Sequence, residues 1–151
     1  MAKRKLTPEF REFLECLNRA EVEYLLVGGY AVNYYGHHRF TEDIDFWIAV
    51  SDANFDRLLA AIRNFFGGDL PGLNMNFLKQ NESLYLGRVP DKIEVFQKAS
   101  GVDFREAYAR RHEGAIEGVA VKVISLADLR ANKQASGRIK DLGDLEKLPP
   151  A

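Results

Sequence analysis

Apolar residues recur three and four positions apart at Phe10, Phe13, Leu14 and Leu17, a spacing that predicts a helix reaching about Ala20. Its start is marked by Thr7-Pro8-Glu9: a capping hydroxyl, a proline at the first helical position and an acid in the first turn. Residues 23–27 then read as a short buried strand closed by Gly28-Gly29, and residues 30–35 as a small helix ending at Gly36. Bulky and β-branched residues over 43–50 predict a second strand. Ser51 or Asp52 can cap a helix whose inner face is Phe55, Leu58, Leu59, Ile62 and Phe65, with Gly67-Gly68 as its stop.

The middle of the chain is less periodic. Residues 69–80 read as loop with a short strand, and residues 83–86 and 92–97 as two strands joined by a turn over 87–91. A helix is expected over 103–111 and a last strand over 119–124. Ser125 can cap a helix to Ser136, stopped by Gly137, and a final helix places Ile139, Leu142 and Leu145 on one face before Pro149-Pro150. Helices and strands alternate, with hairpin-like neighbours in the middle. The expected architecture is therefore α/β (α+β), a mixed central sheet flanked by helices.

Composition narrows the class. The 151 residues are 46% hydrophobic, 28% charged and 11% aromatic, with no repeat or low-complexity linker, so residues 1–151 are expected to form one globular domain. No apolar run approaches the ~20 residues of a membrane span, and Met1–Lys5 resembles a signal-peptide start without the apolar segment that should follow. Cys16 has no partner for a disulfide, and a cytoplasmic location is expected. Lys and Arg total 21 against 22 acids, so any polyanion must be met by a local basic cluster.

Three features carry candidate chemistry. Gly28-Gly29 lies between a strand and a helix, where a backbone without side chains can approach a ligand closely. Asp43-Ile44-Asp45 opens a predicted strand, so its two acids share one face with Cα atoms about 6.5–7 Å apart. Such a pair repels itself unless a cation sits between, and hard Mg²⁺ or Mn²⁺ suits oxygen ligands. Glu94 lies between β-branched neighbours in another predicted strand, and becomes a third ligand if the two strands are adjacent. Taken singly, these are also ordinary features: a turn, a polar strand end and the outer face of an edge strand.

The combination is more specific. A Gly-Gly after a strand, thirteen residues, Asp-Ile-Asp and a later Ile-Glu-Val together resemble the DNA polymerase β-like nucleotidyltransferase superfamily. Gly29-Tyr30-Ala31, Gly36, Arg39, Thr41 and the closing run Leu129, Lys133, Gly137-Arg138, Lys140-Asp141 and Asp144-Leu145 are similar to its small stand-alone prokaryotic members. Some of those are abortive-infection-type toxins of toxin–antitoxin pairs. The resemblance implies transfer of a nucleoside monophosphate from a nucleoside triphosphate such as ATP to a hydroxyl of RNA, protein or a small molecule, with release of pyrophosphate. It further implies Mg²⁺ (or Mn²⁺) on Asp43, Asp45 and Glu94, the triphosphate against Gly28 and Gly29, and a cognate antitoxin as candidate partner, while the short apolar runs leave no membrane partner expected.

Other residues are placed around this scheme. Arg39 and Thr41, on the approach to Asp43, are expected at the nucleotide, with Arg39 meeting a phosphate or pairing with Asp43. Lys133 extends the Leu126/Leu129 stripe of its helix and is expected to reach a phosphate, with Arg138 and Lys140 beside it. Asp141 and Asp144 offer the competing reading, a self-neutralised, solvated helix face. His37 and His38 read as loop residues, and Arg110-Arg111 as backbone contacts if the acceptor is RNA. Glu94 stands where Asp is commoner among close relatives, so Asp91 is a fallback ligand and a catalytically inactive nucleotide- or partner-binding module is the alternative.

Overall fold

The computed structural model describes residues 6–87 and 91–151. The chain runs α1 (Pro8–Arg19), β1 (Tyr24–Val27), α2 (Gly28–Tyr34), β2 (Ile44–Ile48), α3 (Asp52–Phe66), α4 (Met75–Gln80) and β3 (Ser83–Leu86). It continues through β4 (Ile93–Phe96), α5 (Phe104–Ala109), β5 (His112–Ile116), β6 (Val119–Val123), α6 (Leu126–Ser136) and α7 (Ile139–Lys147). The six strands form one sheet in the order β3-β4-β2-β1-β6-β5. The central pair β1/β2 is antiparallel, each gains a parallel neighbour (β6 and β4), and an antiparallel edge strand closes each side. This is the expected mixed sheet with flanking helices.

Strand alternation divides the sheet into two faces. One carries Ile44, Phe46 and Ile48 together with Tyr24 and Leu26, all fully buried. Against it lie α1 and α3: the Phe13 ring centroid is 5.7 Å from Phe46 and 5.2 Å from Phe65. The other face carries Asp45 and Trp47, and Trp47 meets Phe104 of α5 edge-on at 5.1 Å. Helix starts follow the capping residues: Thr7 Oγ accepts from the Phe10 N–H at 3.1 Å and Ser51 Oγ from the Asn54 N–H at 3.1 Å.

Several local expectations are corrected. Residues 69–80 hold no strand; Asn74 caps the short helix α4, whose single buried residue Leu78 gives too little periodicity to show. Strand β5 was not expected, because His-Glu-Gly-Ala-Ile lacks apolar alternation and lies at the sheet edge. It joins β6 through Glu117 and Gly118, both at positive φ (50° and 82°), the mirror-image turn that suits a tight hairpin. Asp43 precedes β2 rather than opening it, and α2 starts at Gly28. The expected apolar face of α7 points outward, with Ile139 91% and Leu142 46% exposed, while Asp141 and Asp144 are buried. The expected features at Met1–Lys5 and at residues 88–90 of the turn lie outside the described residues. No described helix is long and apolar enough to cross a membrane.

Asn54 joins three elements from a fully buried position. Its Oδ1 accepts from the Glu23 N–H at 2.8 Å, and its Nδ2 donates to the carbonyls of Ala49 at 2.9 Å and Glu23 at 3.1 Å. Replacing it with alanine leaves buried backbone groups unpaired. Asn54→Ala is expected to lower the unfolding free energy by about 3 kcal/mol, measured by urea denaturation.

Candidate active site

The parallel register of β2 and β4 pairs Asp45 with Glu94, and the antiparallel register of β3 and β4 pairs Glu94 with Tyr85. Val27 is paired with Asp45 on the other side. Paired positions leave the sheet on the same face, so the strands line up a row: Val27, Asp45, Glu94, Tyr85. The sequence condition set for Glu94, that its strand lie beside the aspartates, is thereby met.

Gly28 covers this row. It turns the chain from β1 into α2 at φ +67°, and a Cβ there would collide with Asp45 Oδ2. A Cβ on Gly29 would lie 2.6 Å from Thr41 Oγ1 and 3.3 Å from Arg39 Nη1. Both glycines therefore let backbone sit directly on the acids and on the loop that delivers them. Thr41 fixes that loop by donating to the Asp43 carbonyl at 3.2 Å.

The acids are electrostatically unbalanced. Burial, then the neighbouring Glu94 and Asp43 carboxylates, push Asp45 up to about 7, and Lys140 opposes the rise. Asp43 Oδ1 is shielded from solvent and accepts no hydrogen bond from any described residue. Among the described residues no three His, Cys, Asp or Glu side chains form a ready-made ion cage. Magnesium does not need one: it takes one or two carboxylates and completes its shell with water and substrate phosphates. An orphaned carboxylate oxygen, a proton-retaining aspartate and an adjacent glutamate are a hard oxygen donor set, and they fit such an ion.

The cations divide into two groups. Arg138 and Lys140 lie within electrostatic range of the row: Asp45 and Glu94 raise Arg138, after its hydrogen bond to Asp141, and Lys140 acts on Asp45. Arg39 and Lys133 are engaged elsewhere. Arg39 grips Asp144 through two nitrogens at 2.8 and 3.1 Å, rather than pairing with Asp43. Lys133 is buried and pairs with Asp144 at 3.0 Å and Asp141 at 3.2 Å. Arg138 Nε adds a bond to Asp141 at 2.7 Å.

This clasp explains the inverted face of α7. A buried ammonium needs carboxylates more than the helix needs to bury Ile139. Asp141 and Asp144 do neutralise the basic cluster, but from inside. Burial alone would raise both acids, yet hydrogen bonds from Arg138 and Lys133 hold Asp141 low, and those from Arg39 and Lys133 hold Asp144 low.

Of the remaining candidates, the two arginines are engaged by acids of their own. His37 Nε2 is 4.0 Å from Asp144, and His38 is exposed. Arg110 pairs with Asp128 at 2.9 Å and Arg111 with Glu113 at 2.9 Å. Asp91 precedes β4. Tyr85 and Asn33 escaped the sequence reading. The Asn33 Oδ1 accepts from the Arg39 N–H at 2.9 Å and so shapes the loop, but neither residue forms part of a motif.

The pH dependence of stability follows from Asp45. Folding raises its pKa from about 4, so the folded state holds more protons than the unfolded state until pH passes about 7. Stability without metal therefore falls as pH rises through that window. Asp141 and Asp144, held low, contribute above about pH 4 and are lost only on further acidification. Asp45→Asn is expected to stabilise the metal-free protein by about 2 kcal/mol at pH 8 and little at pH 4.5, read by thermal denaturation in a chelator.

Comparison with known proteins bears on the family and the fold. The family described as "Nucleotidyl transferase AbiEii toxin, Type IV TA system" matches residues 12–148. No curated protein matches. Among solved structures, the antibiotic-resistance factor ANT(2'')-Ia is 15% identical with a TM-score of 0.59, over 91% of this chain and 79% of that one. TM1012 of Thermotoga maritima, named as a candidate nucleotidyltransferase, is 13% identical with a TM-score of 0.55, over 91% of this chain and 88% of that one. At such identities the two structures bear on the fold alone. The family match spans the glycines, the acid row and the α6–α7 clasp, and the chain belongs to the AbiEii nucleotidyl transferase toxin family of type IV toxin–antitoxin systems.

Proposed function

We propose that the chain moves a nucleoside monophosphate from a nucleoside triphosphate to a hydroxyl of an RNA, protein or small-molecule acceptor. One observation carries this reading: Asp45 and Glu94 stand side by side, Gly28 packs against Asp45, and a buried oxygen of nearby Asp43 has no hydrogen-bond partner among the described residues. Asp43, Asp45 and Glu94 would hold Mg²⁺ or Mn²⁺, which supplies charge neutralisation for the phosphates and activation of the attacking hydroxyl.

The protein's own contribution is placement. Gly28 and Gly29 admit the triphosphate against backbone. Arg138 and Lys140, within electrostatic range of the acids, would meet its negative charge. Glu94, on the outer side of Asp45, takes the proton of the acceptor hydroxyl as its oxygen bonds to the α-phosphorus and pyrophosphate departs. Thr41 holds the Asp43 loop. Arg39 and Lys133 act through α7, because their bonds to Asp144 and Asp141 fix the helix that carries Arg138 and Lys140 beside the acids. We also infer a cognate antitoxin as partner, on the strength of the family.

The test uses each α-labelled nucleoside triphosphate, Mg²⁺ and total cell RNA or lysate. Label is expected to appear in an acceptor, with pyrophosphate formed in equal amount. Asp43→Asn or Asp45→Asn should reduce the rate by about 10²-fold or more. Nucleotide binding without transfer to any acceptor would instead make the chain a binding module.

A further inference from the structure

Tyr85 ends the row that Asp45 and Glu94 begin. Its register with Glu94 sends both side chains off the same face of the sheet as directly opposed cross-strand neighbours, and the nearby Glu94 carboxylate raises the phenol's pKa. The Lys92 ammonium lies 5.9 Å from the ring centroid. Packing does not explain the residue, since the side chain is 62% exposed on an edge strand. In the reaction proposed above, Glu94 receives the proton of an acceptor hydroxyl. The chain already places one of its own hydroxyl-bearing side chains directly across the strands from that carboxylate.

We propose that Tyr85 is itself an acceptor, so that the protein nucleotidylates its own chain. The phenolic oxygen bonds to the α-phosphorus of the bound nucleoside triphosphate. The bond from that phosphorus to the oxygen bridging to the β-phosphate breaks, pyrophosphate leaves and the phenolic proton passes to Glu94. The product is a tyrosyl nucleoside monophosphate ester. The ester places a further negative charge against Glu94 and fills the position an external acceptor needs, so the event occurs once per chain and limits later transfer. This inference rests on the nucleotidyl-transfer reading of the Asp43, Asp45 and Glu94 site.

The test incubates the purified full chain with Mg²⁺ and each α-labelled nucleoside triphosphate, with and without total cell RNA or lysate. Intact-mass and fragmentation spectrometry then locate any adduct. A single nucleoside monophosphate on Tyr85 is expected, at a fractional rate independent of protein concentration. It should be absent in Tyr85→Phe and Asp45→Asn, and present in Tyr108→Phe, which alters a tyrosine remote from the row. Label entering a cell acceptor while the chain stays unmodified overturns self-modification and leaves the transferase reading standing. An adduct on another residue, or a rate that rises with protein concentration, overturns it equally. Absence of both label transfer and pyrophosphate removes the two readings together.

Discussion

Negative charge crowded onto one face of a rigid sheet is the constraint around which the rest is arranged. Asp45 and Glu94 are held side by side by strand pairing, and Asp43 arrives on a loop pinned by Thr41. None of the three can retreat without breaking the β2/β4 ladder or the loop. Gly28 removes solvent from above Asp45, which strengthens the repulsion. The result is a carboxyl pushed up to about 7, the kind of perturbed acid that the proposed binding of a divalent ion and its phosphates would relieve.

The second charge cluster is built on the opposite principle. Around Asp141 and Asp144 every buried charge has a counterpart, supplied by Arg39, Lys133 and Arg138 from three segments of the chain. Satisfied in this way, the cluster works as a fastener: it ties the loop after α2, helix α6 and helix α7 into one arrangement. Arg138 and Lys140 are thereby carried to the acid row. One cluster is paired, the other carries excess negative charge, and Arg138, bonded to Asp141, lies within electrostatic range of Asp45 and Glu94.

Much of this was legible in the residues because it depends on local signals. Thr7-Pro8, Ser51 and Ser125 marked helix starts by capping chemistry, and bulky, β-branched content over 43–50, with a further expected strand over 92–97, marked the two strands whose pairing brought Glu94 to Asp45. The resemblance supplied the rest of the site. What stayed hidden depends on tertiary contacts. The α7 pattern of Ile139, Leu142 and Leu145 is apolar at the right spacing, yet buried Lys133 draws the acidic face inward. Arg39 sits four residues before Asp43 in sequence, but its partner is Asp144, over a hundred residues away. Tyr85 carries no motif, and only strand register reveals its neighbour.

The account stands on the claim that the acid row binds a divalent cation together with nucleotide phosphates. Crystals grown with Mn²⁺ and a non-hydrolysable nucleoside triphosphate, measured for the anomalous signal of manganese, address it directly. The account predicts manganese bound by carboxylate oxygens of Asp43 and Asp45, close to Glu94, with the triphosphate running past Gly28. Nucleotide and metal bound elsewhere, with Asp45 still protonated beside Glu94, would contradict it.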